Sequence, residues 1–155
     1  MRSPYAEMLF EKLIARRHSD YKITSESLAV WYRNSKILEQ TVTLLIADGV
    51  APERITRFSP RHYDDYPFVC RDADLILTMT ENHLEALSKW RKKSFLLSRF
   101  VSAPNANAEE IPDPFFSRDV LRIYAMLKTK VQELVELFSE ADLAYSSQKY
   151  HKEAP

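Results

Sequence analysis

Arg2 is the residue in this chain best placed to do chemistry. It precedes Ser3 and Pro4, and Ser followed by Pro opens a helix: a side-chain acceptor at the cap, then the ring residue tolerated in the first turn. A guanidinium there offers a planar fork matched to phosphate oxygens, reinforced by the positive end of the helix. Taken alone, an arginine next to the chain terminus is more often just a solvated side chain. Asp113, within IPDPFF at 111–116, taken alone is a turn initiator. The one thiol, Cys70, is followed by Arg71, but no glycine turn precedes it and the sixth residue on is Ile76. It is therefore expected to be a core or helix-surface thiol and not a nucleophile. His18, His62, His83 and His151 are scattered and make no metal-ligand spacing, so no metal site and no cofactor are expected. HYDD at 62–65 is expected to cap a helix and complement its dipole.

These residues need a scaffold, and the alternation of patterns predicts an α/β fold. Ala6, Leu9, Phe10 and Leu13 give the first helix one buried face, with the helix running from Pro4 to about Arg17. YKITSESLAVW at 21–31 mixes β-branched and alternating residues and predicts a strand over 22–31. A second helix is expected over 35–48, stopped by Gly49, and a short one over 62–72. ADLILTMT at 73–80 is a continuous apolar run, as in a buried parallel strand at 74–79, and SFLLSRF at 94–100 returns to strand character over 94–99. Thr80 with Glu81 opens a helix between them. VSAPNANAEEIPDPFF at 101–116 is a long connection of the kind that carries sites, and Val120 to Phe138 mark a long terminal helix.

Composition limits what such a scaffold does. The 155 residues, 45% of them hydrophobic, fit one domain over 1–145 with a frayed tail over 146–155. Lys and Arg total 22, as do Asp and Glu, so no net field draws the chain to nucleic acid or to a membrane surface. One cysteine allows no internal disulfide, and no apolar run suits a membrane span, so the chain is expected to be soluble and cytoplasmic. With Gly49 the single glycine, no glycine-bearing phosphate loop is present in the sequence.

RSPYAEMLF at 2–10, SESLAVW at 25–31, ADLILTMTENHLEAL at 73–87 and IPDPFF at 111–116 occur in the order of the landmarks of the low-molecular-weight protein tyrosine phosphatases, and the chain resembles that family over nearly its whole length. The resemblance implies a three-layer α/β sandwich with a short parallel sheet. In the family, a first strand runs into a loop of pattern C-x-x-x-x-x-R-S-P, whose arginine and amides hold phosphate while the cysteine thiolate attacks phosphorus. Arg2 and Ser3 match the end of that pattern, Asp113 matches the general acid, and Trp31 and Phe115 match aromatics bordering the substrate cleft. Phe116 is expected in the core. YRNSKILE at 32–39 lacks the glycine and prolines often found after the cleft aromatic, which bears on substrate preference.

The implied substrate is phosphate or an aryl phosphomonoester, with phosphotyrosine protein as the macromolecular form. The first strand and the nucleophilic cysteine of the pattern have no counterpart among these residues, so the chain as given is expected to be inactive. One alternative is a non-enzymatic binding or self-associating domain; another is an arsenate reductase-like protein, which needs redox cysteines beyond Cys70. Without the first strand, the strands at 22–31 and 74–79 would flank a gap, and the chain is expected to form a homo-oligomer through that exposed sheet edge.

Overall fold

In the computed structural model, residues 2–17, 23–102, 109–117 and 119–152 are described, with residues 142–152 described by their backbone alone. Helix α1 (Arg2–Ile14) is followed by α2 (Glu39–Ala47), α3 (Pro52–Thr56) and α4 (Pro67–Asp72). Strand β1 (Ile76–Thr78), helix α5 (Glu81–Ala86), a 3₁₀ segment at Ser88–Lys93 and strand β2 (Ser94–Leu96) form a parallel crossover unit. Helix α6 (Leu97–Val101), a 3₁₀ turn at Pro114–Phe116 and the long α7 (Val120–Lys152) complete the chain.

The core is where α1 crosses α7. Tyr5, Met8, Leu9 and Phe10 face Ile123, Tyr124, Leu127, Val131 and Val135, with Ile111 from the preceding loop wholly enclosed. Each such aliphatic side chain contributes about 1.5–3 kcal/mol by leaving water. The polar tips inside this layer are answered: Tyr5 donates to Asp48, and the hydroxyls of Thr41 and Tyr124 lie 2.6 Å apart. Gly49 ends α2 with φ of +73°, the left-handed backbone that glycine adopts without strain.

The sheet departs from expectation. β1 and β2 pair in register from Ile76 with Ser94 to Thr78 with Leu96, so two of the three expected strands are present but short. β1 stops because Thr80 turns the chain into α5, its side chain accepting from the His83 amide. β2 then has nothing left to pair with, and Leu97 and Ser98 are buried in α6 instead of extending a strand to residue 99. The expected strand over 22–31 is not formed. Residue 22 lies outside the described residues, and 23–31 carries a single parallel bridge, from Ala29 to His62. Strands are made by their partners, and this segment is held by a side chain instead: the Glu7 carboxylate accepts from the Ser27 amide at 2.6 Å. The helix expected over 62–72 begins only at Pro67; 62–65 is a turn in which the Asp64 amide donates to His62 Nδ1 at 3.2 Å.

Candidate active site

The candidate site is built around the first residue of α1. The side chain of Arg2 is buried, and its Nη1 donates to the Ile111 carbonyl while Nη2 lies 3.3 Å from Asp113 Oδ2. Burial pushes the guanidinium pKa down, and the nearby acidic groups Asp113, Tyr124 and Glu110 only partly oppose it. Arginine stays charged through such a shift. The result is a desolvated cation with one long carboxylate contact, placed at the positive end of a helix. Such a group can take up an anion.

Asp113 unites both possibilities open at the sequence level. Its Oδ1 accepts from the Phe115 amide at 2.9 Å, so it caps the 3₁₀ turn at Pro114–Phe116, and its other oxygen faces Arg2. The turn is seated by Pro114 and Ile111, which are buried. That seating leaves Phe115 72% and Phe116 74% exposed, their rings edge to face at 5.2 Å, so the expected core position of Phe116 is not found. Trp31 is also exposed, its ring 6.5 Å from that of His83. Ser3 is half-buried in the first turn of α1, with no side-chain hydrogen bond among the described residues. The structure thus brings Arg2 and Asp113 into contact and places Trp31 beside His83.

His83 has no role in the sequence reading. Thr80 Oγ1 lies 2.5 Å from its Nδ1, and burial followed by the charge of Arg2 pushes its pKa down, with Asp113 and Glu110 opposing. The available signal was Thr80 itself: a cap three residues earlier places His83 at the head of α5. Glu110, which accepts from the Glu81 amide at 2.8 Å, closes the same corner.

Cys70 is buried on α4, and burial raises its pKa, opposed by Lys93 alone. A thiol in that state is a poor nucleophile. Among the described residues, no group of three or more His, Cys, Asp or Glu side chains could hold a metal ion.

The chain is an α/β domain with a short parallel crossover sheet, in which Arg2 at a helix start meets Asp113. The sequence model of the low molecular weight phosphotyrosine protein phosphatases matches residues 1–146, and the chain belongs to that family. It is 22% identical over 139 residues to the low molecular weight protein-tyrosine-phosphatase YfkJ of Bacillus subtilis, covering 86% of each chain. The crystal structure of that YfkJ superposes with a TM-score of 0.72 at 21% identity, covering 90% of this chain and 88% of the other. The tyrosine phosphatase AmsI of Erwinia amylovora gives a TM-score of 0.63 at 26% identity, covering 88% of this chain and 84% of the other. A Wzb of Vibrio vulnificus solved in complex with benzylphosphonate gives 0.64 at 18% identity, covering 90% of each chain.

Proposed function

We propose that this chain binds the phosphoryl group of aryl phosphomonoesters at Arg2, as a phosphatase-type site, and that the 155 residues alone do not turn them over. The observation that carries the reading is the buried Arg2 guanidinium, whose one carboxylate partner among the described residues is Asp113 at 3.3 Å and which has donor capacity left for phosphate oxygens. Ser3 borders the same helix start, and Trp31 and Phe115 supply exposed aromatic faces for a phenyl ring. The benzylphosphonate complex of the Vibrio relative supports this ligand class.

Hydrolysis in this family's manner needs a nucleophile that forms a bond to phosphorus as the aryl oxygen leaves, and a proton for that oxygen. Asp113 is the candidate donor, once a bound phosphoryl group draws Arg2 away from its carboxylate. Among the described residues no thiolate lies beside Arg2, and Cys70 is buried elsewhere with its pKa raised.

Calorimetric titration with benzylphosphonate, together with an assay on 4-nitrophenyl phosphate, tests both halves. Saturable one-site binding without turnover above buffer is expected. Absence of binding overturns the site; turnover that disappears in Cys70→Ser overturns the dismissal of Cys70.

A second reading, self-association, rests on a separate observation. The edge of β1 away from β2 has no strand partner among the described residues, because 23–31 bridges to His62 instead of pairing with β1. An exposed edge recruits another strand, and a dimer by light scattering at micromolar concentration is the expected result; a stable monomer excludes it. A single cysteine is in keeping with a reducing compartment, and we place the chain in the cytoplasm on that ground. No helix among the described residues is long and apolar enough to cross a membrane.

A further inference from the structure

Arg2 is enclosed by the run of chain that partners it. Its side chain is 8% exposed, so an anion arriving from solvent reaches the guanidinium only where a group now against it moves. Both of its acceptors among the described residues belong to Ile111-Pro112-Asp113: the Ile111 carbonyl faces Nη1, and the Asp113 carboxylate lies 3.3 Å from Nη2.

The two acceptors differ in freedom. Ile111 is wholly enclosed, and its amide donates to the Met79 carbonyl at 2.9 Å, which pins the residue just past the end of β1. Pro112 and Pro114 lock φ on either side of Asp113, and Pro114 is itself buried. The backbone of the run is therefore fixed, and the Ile111 carbonyl stays on Nη1. The Asp113 side chain is 30% exposed and bears on Arg2 through one long contact. Side-chain torsions alone carry it away, into water that solvates the freed oxygen.

The other acidic groups that act on Arg2 are held elsewhere. Glu110 accepts from the Glu81 amide at 2.8 Å, Glu81 is paired with Arg99, and the Tyr124 hydroxyl lies 2.6 Å from that of Thr41. Each acts on the guanidinium whether or not an anion is bound, and so drops out of the exchange.

We propose that Asp113 is a built-in stopper of the anion site: its carboxylate holds the oxyanion position on Arg2 when the site is empty, and an external oxyanion binds by exchanging with it while the Ile111 carbonyl keeps the guanidinium aimed. This rests on the reading of Arg2 as the anion-binding residue. Because the carboxylate is tethered, it competes at a constant effective concentration whatever the solution contains. Entry is confined to anions that hold the guanidinium more strongly than one part-exposed carboxylate does.

The test compares two variants that each neutralise one carboxylate. In Asp113→Asn the amide oxygen still accepts from the Phe115 amide and keeps the turn capped, but the group then facing Arg2 is an NH2 donor that cannot occupy it. Calorimetry with sulfate at neutral pH on the full chain should show about 3–10-fold tighter binding in Asp113→Asn than in the unsubstituted chain. Glu110→Gln removes an equal charge that is seated on the Glu81 amide, and should change the affinity by less than about twofold. Because a variant could alter the fold, the unsubstituted chain provides a second measurement: on saturation with sulfate the side-chain carboxyl carbon resonance of Asp113 should move further than that of Glu110. Equal or weaker binding in Asp113→Asn, an equal gain in Glu110→Gln, or an unmoved Asp113 resonance overturns the proposal and leaves the Arg2 site standing. No sulfate binding in any of the three chains defeats the Arg2 site, and this proposal with it.

Discussion

Helix α1 buries two opposite charges on one scaffold and treats them differently. The Glu7 side chain is 3% exposed and is fully answered: it accepts from the Ser27 amide at 2.6 Å, from Arg54, and from Arg61 at 3.5 Å. Arg54 is shared with Glu11 at 2.7 Å, and hydrogen bonding to Glu11 leads the effects that hold its pKa above the ordinary arginine value. Arg2, five residues before Glu7, is shifted the other way because burial outweighs Asp113. Two arginines of one molecule therefore mark two uses of charge. Where partners exceed what desolvation removes, the ion group ties segments together, here α1, α3 and the 23–31 segment that lacks a strand partner. Where they fall short, the group keeps capacity for a ligand.

The comparison is broken most severely at Glu7. Glu7→Ala leaves Arg54 with Glu11 and Arg61 with Glu26 but frees the buried Ser27 amide and unties α1 from α3 and the 23–31 segment, and should lower unfolding free energy by about 2–4 kcal/mol in a urea titration. A change below about 1 kcal/mol would mean that the network is solvated and not structural. Arg2→Met should do the reverse. Its partner Asp113 is part-exposed and can turn to water, and the loss of the donor to the Ile111 carbonyl is set against relief of a buried charge, so stability should fall by no more than about 1–2 kcal/mol while phosphate affinity drops at least about tenfold. A large stability loss with unchanged affinity would place Arg2 in the same class as Glu7.

Smaller effects sharpen the site side of the comparison. Thr80→Ala removes the α5 cap and the Nδ1 partner of His83, and should cost about 1 kcal/mol, visible as a lowered melting temperature. Far from either charge, Gly49→Ala should cost about 1 kcal/mol for its positive φ, since the nearest obstacle is the flexible end of Lys12 at 2.8 Å. Anion binding should be untouched in that variant. If binding falls, the α1–α2 packing and the site are coupled.

How much of this was legible depended on where the determining interaction lay. Ser3–Pro4, the Thr80 cap and the Gly49 stop are local chemistry, and each marks its helix end within a residue or two. Arg2 and Asp113 came from motif order, and their meeting 111 residues apart in sequence needed the fold. The strand over 22–31 and the far half of 94–99 were misjudged because β-branched composition signals extended backbone, whereas a ladder requires a neighbour that only tertiary structure supplies. Phe116 was misplaced because the apolar seat of its turn is taken by Pro114 and Ile111. His83 gives no signal in metal-ligand spacing, and its position depends on a cap and a tryptophan that meet only in three dimensions.

The central claim is that the start of α1 binds an oxyanion through Arg2. A crystal of the 155-residue chain soaked in tungstate, with anomalous scattering recorded at the tungsten edge, tests it most directly. The account predicts a single strong peak in contact with the Arg2 guanidinium, with Asp113 turned toward the anion's outer oxygens. A peak elsewhere with Arg2 still bound only to Ile111 and Asp113, or no peak at all, would contradict it.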